Sequence, residues 1–338
     1  MKLSVIMPCY NKPTYLIEMV KTIMAQTFAD WELIIVDDGS EDVNYNMVNE
    51  FVSQDNRITL LRRNRLPKNG DTCRNIGMDF ARGEYLIIFD SDDLVSETCF
   101  EKRVAFMEEH PECDYATFPS SSFVDGTNSY LSRKFDKNVK DILGDILNAD
   151  YPFTVWGNIY RRTSLNNIRW DEKVYLYQDF DFMVQCELSG LTHEWANYNE
   201  PDYFYRVFRN GNSVCATIVT EQKVCSTNYL FPKIFHQIGQ INNGKRLQYK
   251  FFRFVLLHYE QMLLDYHVEY MEKFLSMIHE LYPEEHDIMQ KIAKKRELNG
   301  KTHWSFFKMY LKLYLAYKEP LHRTYTINEL VKCLIYRN

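Results

Sequence analysis

The chain has 338 residues, of which 46% are hydrophobic and 25% charged, a balance that specifies a packed core and excludes a disordered chain. That length fills one core of roughly 150 to 250 residues and leaves material for a second element. A formal net charge of -6 without a long basic stripe excludes generic nucleic-acid binding through phosphate neutralisation.

Leu3 to Met7 reads as a buried strand ending at Pro8, and Thr14 to Gln26 carries Leu16, Ile17, Val20, Ile23 and Met24 at helical spacing. Trp31 to Val36 is the next strand, followed by the turn Asp37-Asp38-Gly39-Ser40 and a helix to about Val52. Ile58 to Leu61 is a third strand. A polar, Gly-containing loop leads to a helix over Thr72 to Ala81, closed by Gly83 before the strand Glu84 to Phe89. Ser96 to Glu109 reads as helix and Cys113 to Phe118 as strand. The chain is then less regular from Tyr130 to Asp150. Near Gln222 the pattern changes to long helical segments such as Arg246 to Ile278 and Trp304 to Tyr317, so residues 1–221 and 222–338 are expected to be separate regions.

Strands separated by helices of this length imply an α/β fold with a doubly wound, mostly parallel sheet and a C-terminal helical region. Ligands bind such sheets at the carboxyl ends of the strands. Tyr10-Asn11, Asp37-Asp38 and the acidic run Asp90-Ser91-Asp92-Asp93 all fall at such ends, so they are expected to face one crevice. Three carboxylates after a buried strand repel one another and are costly to desolvate, which calls for a cation or ligand. Hard oxygen ligands suit Mn2+ or Mg2+ shared with a substrate diphosphate, whereas the competing reading makes the same residues helix caps. The first βα turn, Met7 to Pro13, has no G-x-G-x-x-G, and Asn243-Gly244-Lys245-Arg246 is not a P-loop.

Eight cysteines without C-x-x-C spacing indicate neither a zinc site nor a disulfide framework, and they read as reduced, intracellular thiols. No run reaches the roughly 18 apolar residues of a membrane span. The expectation is a cytoplasmic protein, either free or peripheral on the inner face of a membrane. The aromatic, Lys-rich C-terminal helices have two readings, packing on the first region or on a second subunit, or lying on a membrane surface.

Ser4-Val5-Ile6-Met7-Pro8-Cys9-Tyr10-Asn11, Val36-Asp37-Asp38-Gly39-Ser40, Cys73-Arg74-Asn75-Ile76-Gly77 and Gly83-Glu84-Tyr85 with Asp90-Ser91-Asp92-Asp93 resemble the family 2 glycosyltransferases over roughly Lys2 to Ser213. The resemblance implies the GT-A fold and an inverting transfer of a hexose-type sugar from a UDP-sugar donor. The implied acceptor is a glycan or lipid-linked glycan, of the kind used for bacterial surface polysaccharide. By the same resemblance Pro8, Tyr10 and Asn11 line the nucleoside pocket and Asp38 accepts from the uracil edge, one of Asp37 and Asp38 serving only as a turn and cap. Arg74 is either a diphosphate partner or a surface ion pair. Asp90, Ser91 and Asp92 are donor contacts, with Asp92 and Asp93 on Mn2+ or Mg2+. Leu176-Tyr177-Gln178-Asp179-Phe180-Asp181 resembles the segment supplying the catalytic base. That role falls to Asp179, with Asp181 as the competing candidate and Gln178 where Glu is usual. Trp156 is either a sugar platform or a core residue. Arg206 and Arg209 are candidates for positive charge beside the diphosphate, because Phe208 stands where the family often has His. A catalytically silent nucleotide- or glycan-binding subunit is the alternative function.

Overall fold

A computed structural model describes residues 1–127, 130–131, 139–208, 220–265 and 267–299. Strand β1 (Leu3–Cys9) and strand β2 (Trp31–Asp37) are buried along almost their whole length, as expected of parallel strands covered on both faces. Between them α1 (Pro13–Met24) opens on Pro13, whose missing N–H costs nothing at a first helical position, and buries Leu16, Met19, Val20 and Ile23. Each such side chain, taken fully out of water, contributes about 1.5 to 3 kcal/mol. Helix α2 (Asp42–Val52) leads to β3 (Ile58–Arg62), and α3 (Gly70–Phe80) leads to β4 (Tyr85–Ile88). Gly77 lets α3 press on the sheet, since a Cβ there would stand 2.4 Å from the Ile6 side chain.

After β4 come β5 (Leu94–Val95), α4 (Cys99–Glu109), β6 (Tyr115–Thr117), β7 (Ser120–Val124), β8 (Tyr130–Leu131) and α5 (Ile142–Leu147). Next are β9 (Asn158–Arg161), α6 (Gln178–Leu188), β10 (His193–Trp195) and β11 (Tyr203–Val207). Among the described residues seven strands form one sheet in the order β10-β6-β9-β4-β1-β2-β3. Only β9 runs against its neighbours, β4 and β6. The order runs outward from β1 in both directions, which makes the carboxyl ends of β1, β2 and β4 the place for a crevice. A smaller sheet, β5-β11-β7-β8, carries the segment after Asp202 across to the acidic run.

Helix α7 (Glu221–Gly239) is capped by Thr220 and precedes α8 (Gly244–Leu264), α9 (Val268–Leu281) and α10 (Pro283–Asn299). Contacts divide the chain into a compact unit of Met1–Phe251 and a second beginning at Phe252, well past the change in composition near Glu221. The first unit includes α7 because its side chains bond residues 171, 175 and 181. The continuous helix expected from Arg246 to Ile278 is two helices, with His267 in an extended conformation just before the second. Within the second unit Phe274 stacks on Tyr259, whose hydroxyl donates to the Met289 carbonyl. Among the described residues no helix is long and apolar enough to cross a membrane. Trp304 to Tyr317 lies outside the described residues.

Candidate active site

The β1 and β2 ends build one side of the crevice. Pro8 is still in register with Val36, and the chain then turns at Asn11, which has a positive φ of 48°. The Asn11 carboxamide oxygen accepts from the Glu41 amide at 2.9 Å and from Asn44 at 3.1 Å, so this residue ties the turn to the start of α2. Asp37 is buried and accepts from the Gly39 and Ser40 amides at 3.1 and 3.0 Å, a turn that relies on the left-handed Gly39. Of the two aspartates, Asp37 therefore holds the turn. Asp38 instead accepts from Arg63 Nε at 2.6 Å, and burial holds its carboxyl above the usual range, an effect that Arg63 offsets only in part. Tyr10 is 46% exposed, with the Lys68 ammonium 3.9 Å from its ring centre.

The β4 end carries the acidic run, and its members face different ways. Asp90 accepts from Arg74 Nη2 at 3.1 Å, and Asp92 accepts from Lys12 Nζ at 2.7 Å; both side chains keep part of their surface in water. Ser91 is buried between them. Asp93 is 1% exposed, and its two oxygens accept from the Tyr203 hydroxyl and the Arg206 amide. Its burial and its aspartate neighbours push its carboxyl well above the usual range. Asp93 thus joins the acidic loop to β11, while Asp90 and Asp92 carry the accessible charge.

Arg74 is no surface residue. It is 8% exposed, bonds Asp71 at 3.0 Å as well as Asp90, and lies 4.5 Å above the Trp170 ring. Asp179, in the first turn of α6, is raised by burial and lowered by Arg74, and its charge in turn raises Asp90 and Asp71. Asp179 is thus within electrostatic reach of the Arg74 and Asp90 pair. Among the described residues its carboxylate has no hydrogen bond or ion pair. Asp181, by contrast, is 1% exposed and is bonded by Lys233 and Gln185. Gln178 donates to the Val174 carbonyl at 3.1 Å.

Asn75, which lies within one of the four motifs, and Glu172, which lies outside them, hold this segment against α3. Asn75 donates to the Trp170 carbonyl at 2.9 Å and to Glu172 at 2.8 Å, and accepts from the Trp170 amide at 3.0 Å. Glu172 is also paired with Arg65. An amide beside Arg74 in a helix interior is the one sequence signal that pointed to Asn75, since buried amides need partners on both ends. Lys12 left no signal beyond its place in the first βα turn.

The remaining candidates serve the framework. Trp156 is 5% exposed and stacks on Tyr203 at 4.5 Å and on Tyr205 at 5.9 Å, which is the core arrangement. Arg206 is 5% exposed and its guanidinium is spent on Glu18, Asp125 and the Asp92 carbonyl. Phe208 packs edge-on to Tyr15, with Lys12 over its ring at 4.9 Å. Arg209 lies outside the described residues.

The model of glycosyl transferase family 2 matches residues 4–175, about half of the chain. The chain belongs to the family 2 glycosyltransferases. Among curated relatives, the glycosyltransferase GlyG of Streptococcus pneumoniae serotype 4 is 42% identical over 108 residues, which is 32% of this chain and 35% of that protein. The minor teichoic acid biosynthesis protein GgaB of Bacillus subtilis is 32% identical over 222 residues, 63% of this chain and 24% of that protein. This family 2 chain therefore spans well under half the length of either relative. S. aureus TarS residues 1–349, solved in complex with UDP-GlcNAc, superposes with a TM-score of 0.67 at 19% identity over 92% of each chain. The mixed α/β architecture, with its mostly parallel central sheet, is the GT-A fold.

Proposed function

We propose that this protein is an inverting glycosyltransferase that moves a hexose-type sugar from a UDP-sugar to a hydroxyl of a glycan or lipid-linked glycan in bacterial surface polysaccharide synthesis. The observation that carries the reading is Asp179, whose carboxylate has no hydrogen bond or ion pair among the described residues and lies within electrostatic reach of the buried Arg74 that holds Asp90. A carboxylate so placed takes the proton of an acceptor hydroxyl as the oxygen attacks the anomeric carbon, while UDP leaves from the opposite face. Asp38 accepts from the uracil edge and the exposed face of Tyr10 receives the base, for which Lys68 must move aside. Membership of the family, the GgaB likeness and the TarS complex with UDP-GlcNAc support this donor and this setting.

The residues also fit a divalent cation of the Mn2+ or Mg2+ type. Asp92 is a partly solvated carboxylate whose present partner is a single Lys12 ammonium, and no cluster of three ligating side chains exists among the described residues. Such ions are held through one or two carboxylates plus substrate phosphates, so Asp92, with Asp90 beside it, would suffice. An ion held there would supply positive charge to offset that developing on the departing diphosphate.

The test is UDP release from UDP-GlcNAc and from a panel of UDP-hexoses, with UDP binding followed by thermal shift. Asp179→Asn is expected to lower turnover by at least about a thousandfold and to leave the UDP-induced shift unchanged. Unchanged turnover in that variant would remove Asp179 from the mechanism. Binding without any turnover in the unsubstituted protein would favour the silent-subunit alternative.

A further inference from the structure

Helix α7 lies beyond the residues that match the family, yet three of its side chains grip the segment that delivers Asp179. Ser226 Oγ accepts from the Tyr175 amide at 2.8 Å, and the Tyr229 hydroxyl donates to Asp171 at 2.8 Å. Lys233 Nζ donates to the same Asp171 oxygen at 2.8 Å and to both oxygens of Asp181 at 2.8 and 3.0 Å. Positions 226, 229 and 233 fall on one face of a helix, so a single rigid element makes all of these bonds.

The pairing has a physical necessity. Asp181 is 1% exposed in the first turn of α6, two positions from Asp179. A buried carboxylate without a cation would protonate or pull its helix end toward water. Lys233 is itself largely buried, with 18% of its side chain exposed, so the pair is shielded from salt. Asp171 and Asp181 bracket the stretch from Glu172 to Phe180, and one ammonium closes it.

We infer that Lys233 is a positioning residue of the transfer site: it neutralises Asp181, clamps that residue to Asp171, and so fixes the first turn of α6 with Asp179 turned to the crevice. The inference rests on the reading of Asp179 as the base, and it gives Asp181 a structural task in place of a chemical one.

Two readouts on the full chain test it. The first is UDP release with UDP-GlcNAc as probe donor, comparing the unsubstituted protein, Asp179→Asn, Lys233→Met and Lys233→Arg. Loss of an aligned geometry lowers kcat and spares donor binding. Lys233→Met should therefore lose at least about tenfold in kcat with KM for UDP-GlcNAc changed by less than about threefold. Lys233→Arg, which can still fork across Asp181, should recover most of the loss. A kcat loss that arginine does not rescue, or no loss at all, overturns the inference. The second readout needs no donor: hydrogen exchange of the amides from 172 to 182 should speed up by about tenfold or more in Lys233→Met, with β1 to β4 unchanged and Lys233→Arg like the unsubstituted protein. Equal exchange overturns the inference whatever the donor. Should Lys233→Met not fold, Lys233→Gln, which keeps a donor without the charge, carries both comparisons. Absence of turnover in the unsubstituted protein, or full turnover in Asp179→Asn, strikes the proposed function and leaves the exchange result to decide the positioning role.

Discussion

Lys12 and Asp92 hold one another at 2.7 Å, so a divalent cation that takes Asp92 must first displace an ammonium. Part of each side chain is in water, and such a pair is worth at most about 1 kcal/mol. Lys12→Met should therefore lower the Mn2+ concentration needed to stabilise the UDP-bound protein by up to about fivefold, read from thermal-shift titrations at fixed UDP. A higher Mn2+ requirement would mean that Lys12 itself contacts the diphosphate and that its loss outweighs the freed carboxylate. The same scale separates the neighbours in the acidic run. Asp93 has both oxygens engaged within the protein and Asp90 is tied to Arg74, which leaves Asp92 the carboxylate most readily released to a ligand.

Elements meet at buried charges as well as at apolar faces. Arg103 of α4, 0% exposed, bonds both oxygens of Asp202 at 2.8 and 2.7 Å and the carbonyls of Trp156 and Asn158 at 3.1 and 3.2 Å. One guanidinium thus joins the start of β9 and the approach to β11, the strand that anchors Asp93 through Tyr203 and the Arg206 amide. Removing only the cation leaves Asp202 buried and unpaired, and Arg103→Met should cost about 3 to 5 kcal/mol of stability in urea unfolding. Helix α3 makes the comparable link on the other side. Asn75→Ala should cost about 1 to 3 kcal/mol, because the Trp170 amide and carbonyl lose their partner inside the protein. A loss below about 0.5 kcal/mol for either variant would mean that the surrounding backbone finds other partners.

At the scale of the molecule, acid acts on both compact units. Burial pushes His193 in the first unit and His258 in the second down to about 3. In the unfolded chain each titrates near 6.5, so unfolding takes up protons in the window between about 3 and about 6.5. Stability from these neutral rings is complete above that window and is lost as the pH falls through it, by up to about 1.4 kcal/mol per pH unit for each histidine. Unfolding midpoints measured near pH 7 and near pH 5 should fall accordingly. His193→Phe keeps the aromatic contacts with Tyr115 and Phe153 and should flatten the profile of the first unit. An unchanged profile in that variant would assign the acid sensitivity to other groups.

Much of the sheet was legible because its signals are local. Continuous apolar runs such as Ile34-Ile35-Val36 and Leu86-Ile87-Ile88 mark strands buried on both faces, and the turn residues that follow mark their carboxyl ends. The four ordered motifs pointed to the family for the same reason. The helix break between Leu264 and Val268 was not legible, since hydrophobic spacing continues through it. Nor was what separates Asp92 from Asp93, and the resemblance offered roles for Asp38 and Asp179 without the cause that sets them apart from Asp37 and Asp181. Members of each pair share a residue type and a neighbourhood in sequence, and what distinguishes them is a partner brought from far along the chain: Arg63 for Asp38, Tyr203 for Asp93 and Lys233 for Asp181. Sequence by itself determined where strands end and acidic turns gather, because those are matters of local period and backbone chemistry. Tertiary structure decided which carboxylates are neutralised and which stay free, because charge compensation is settled by whatever cation the fold places within hydrogen-bonding distance.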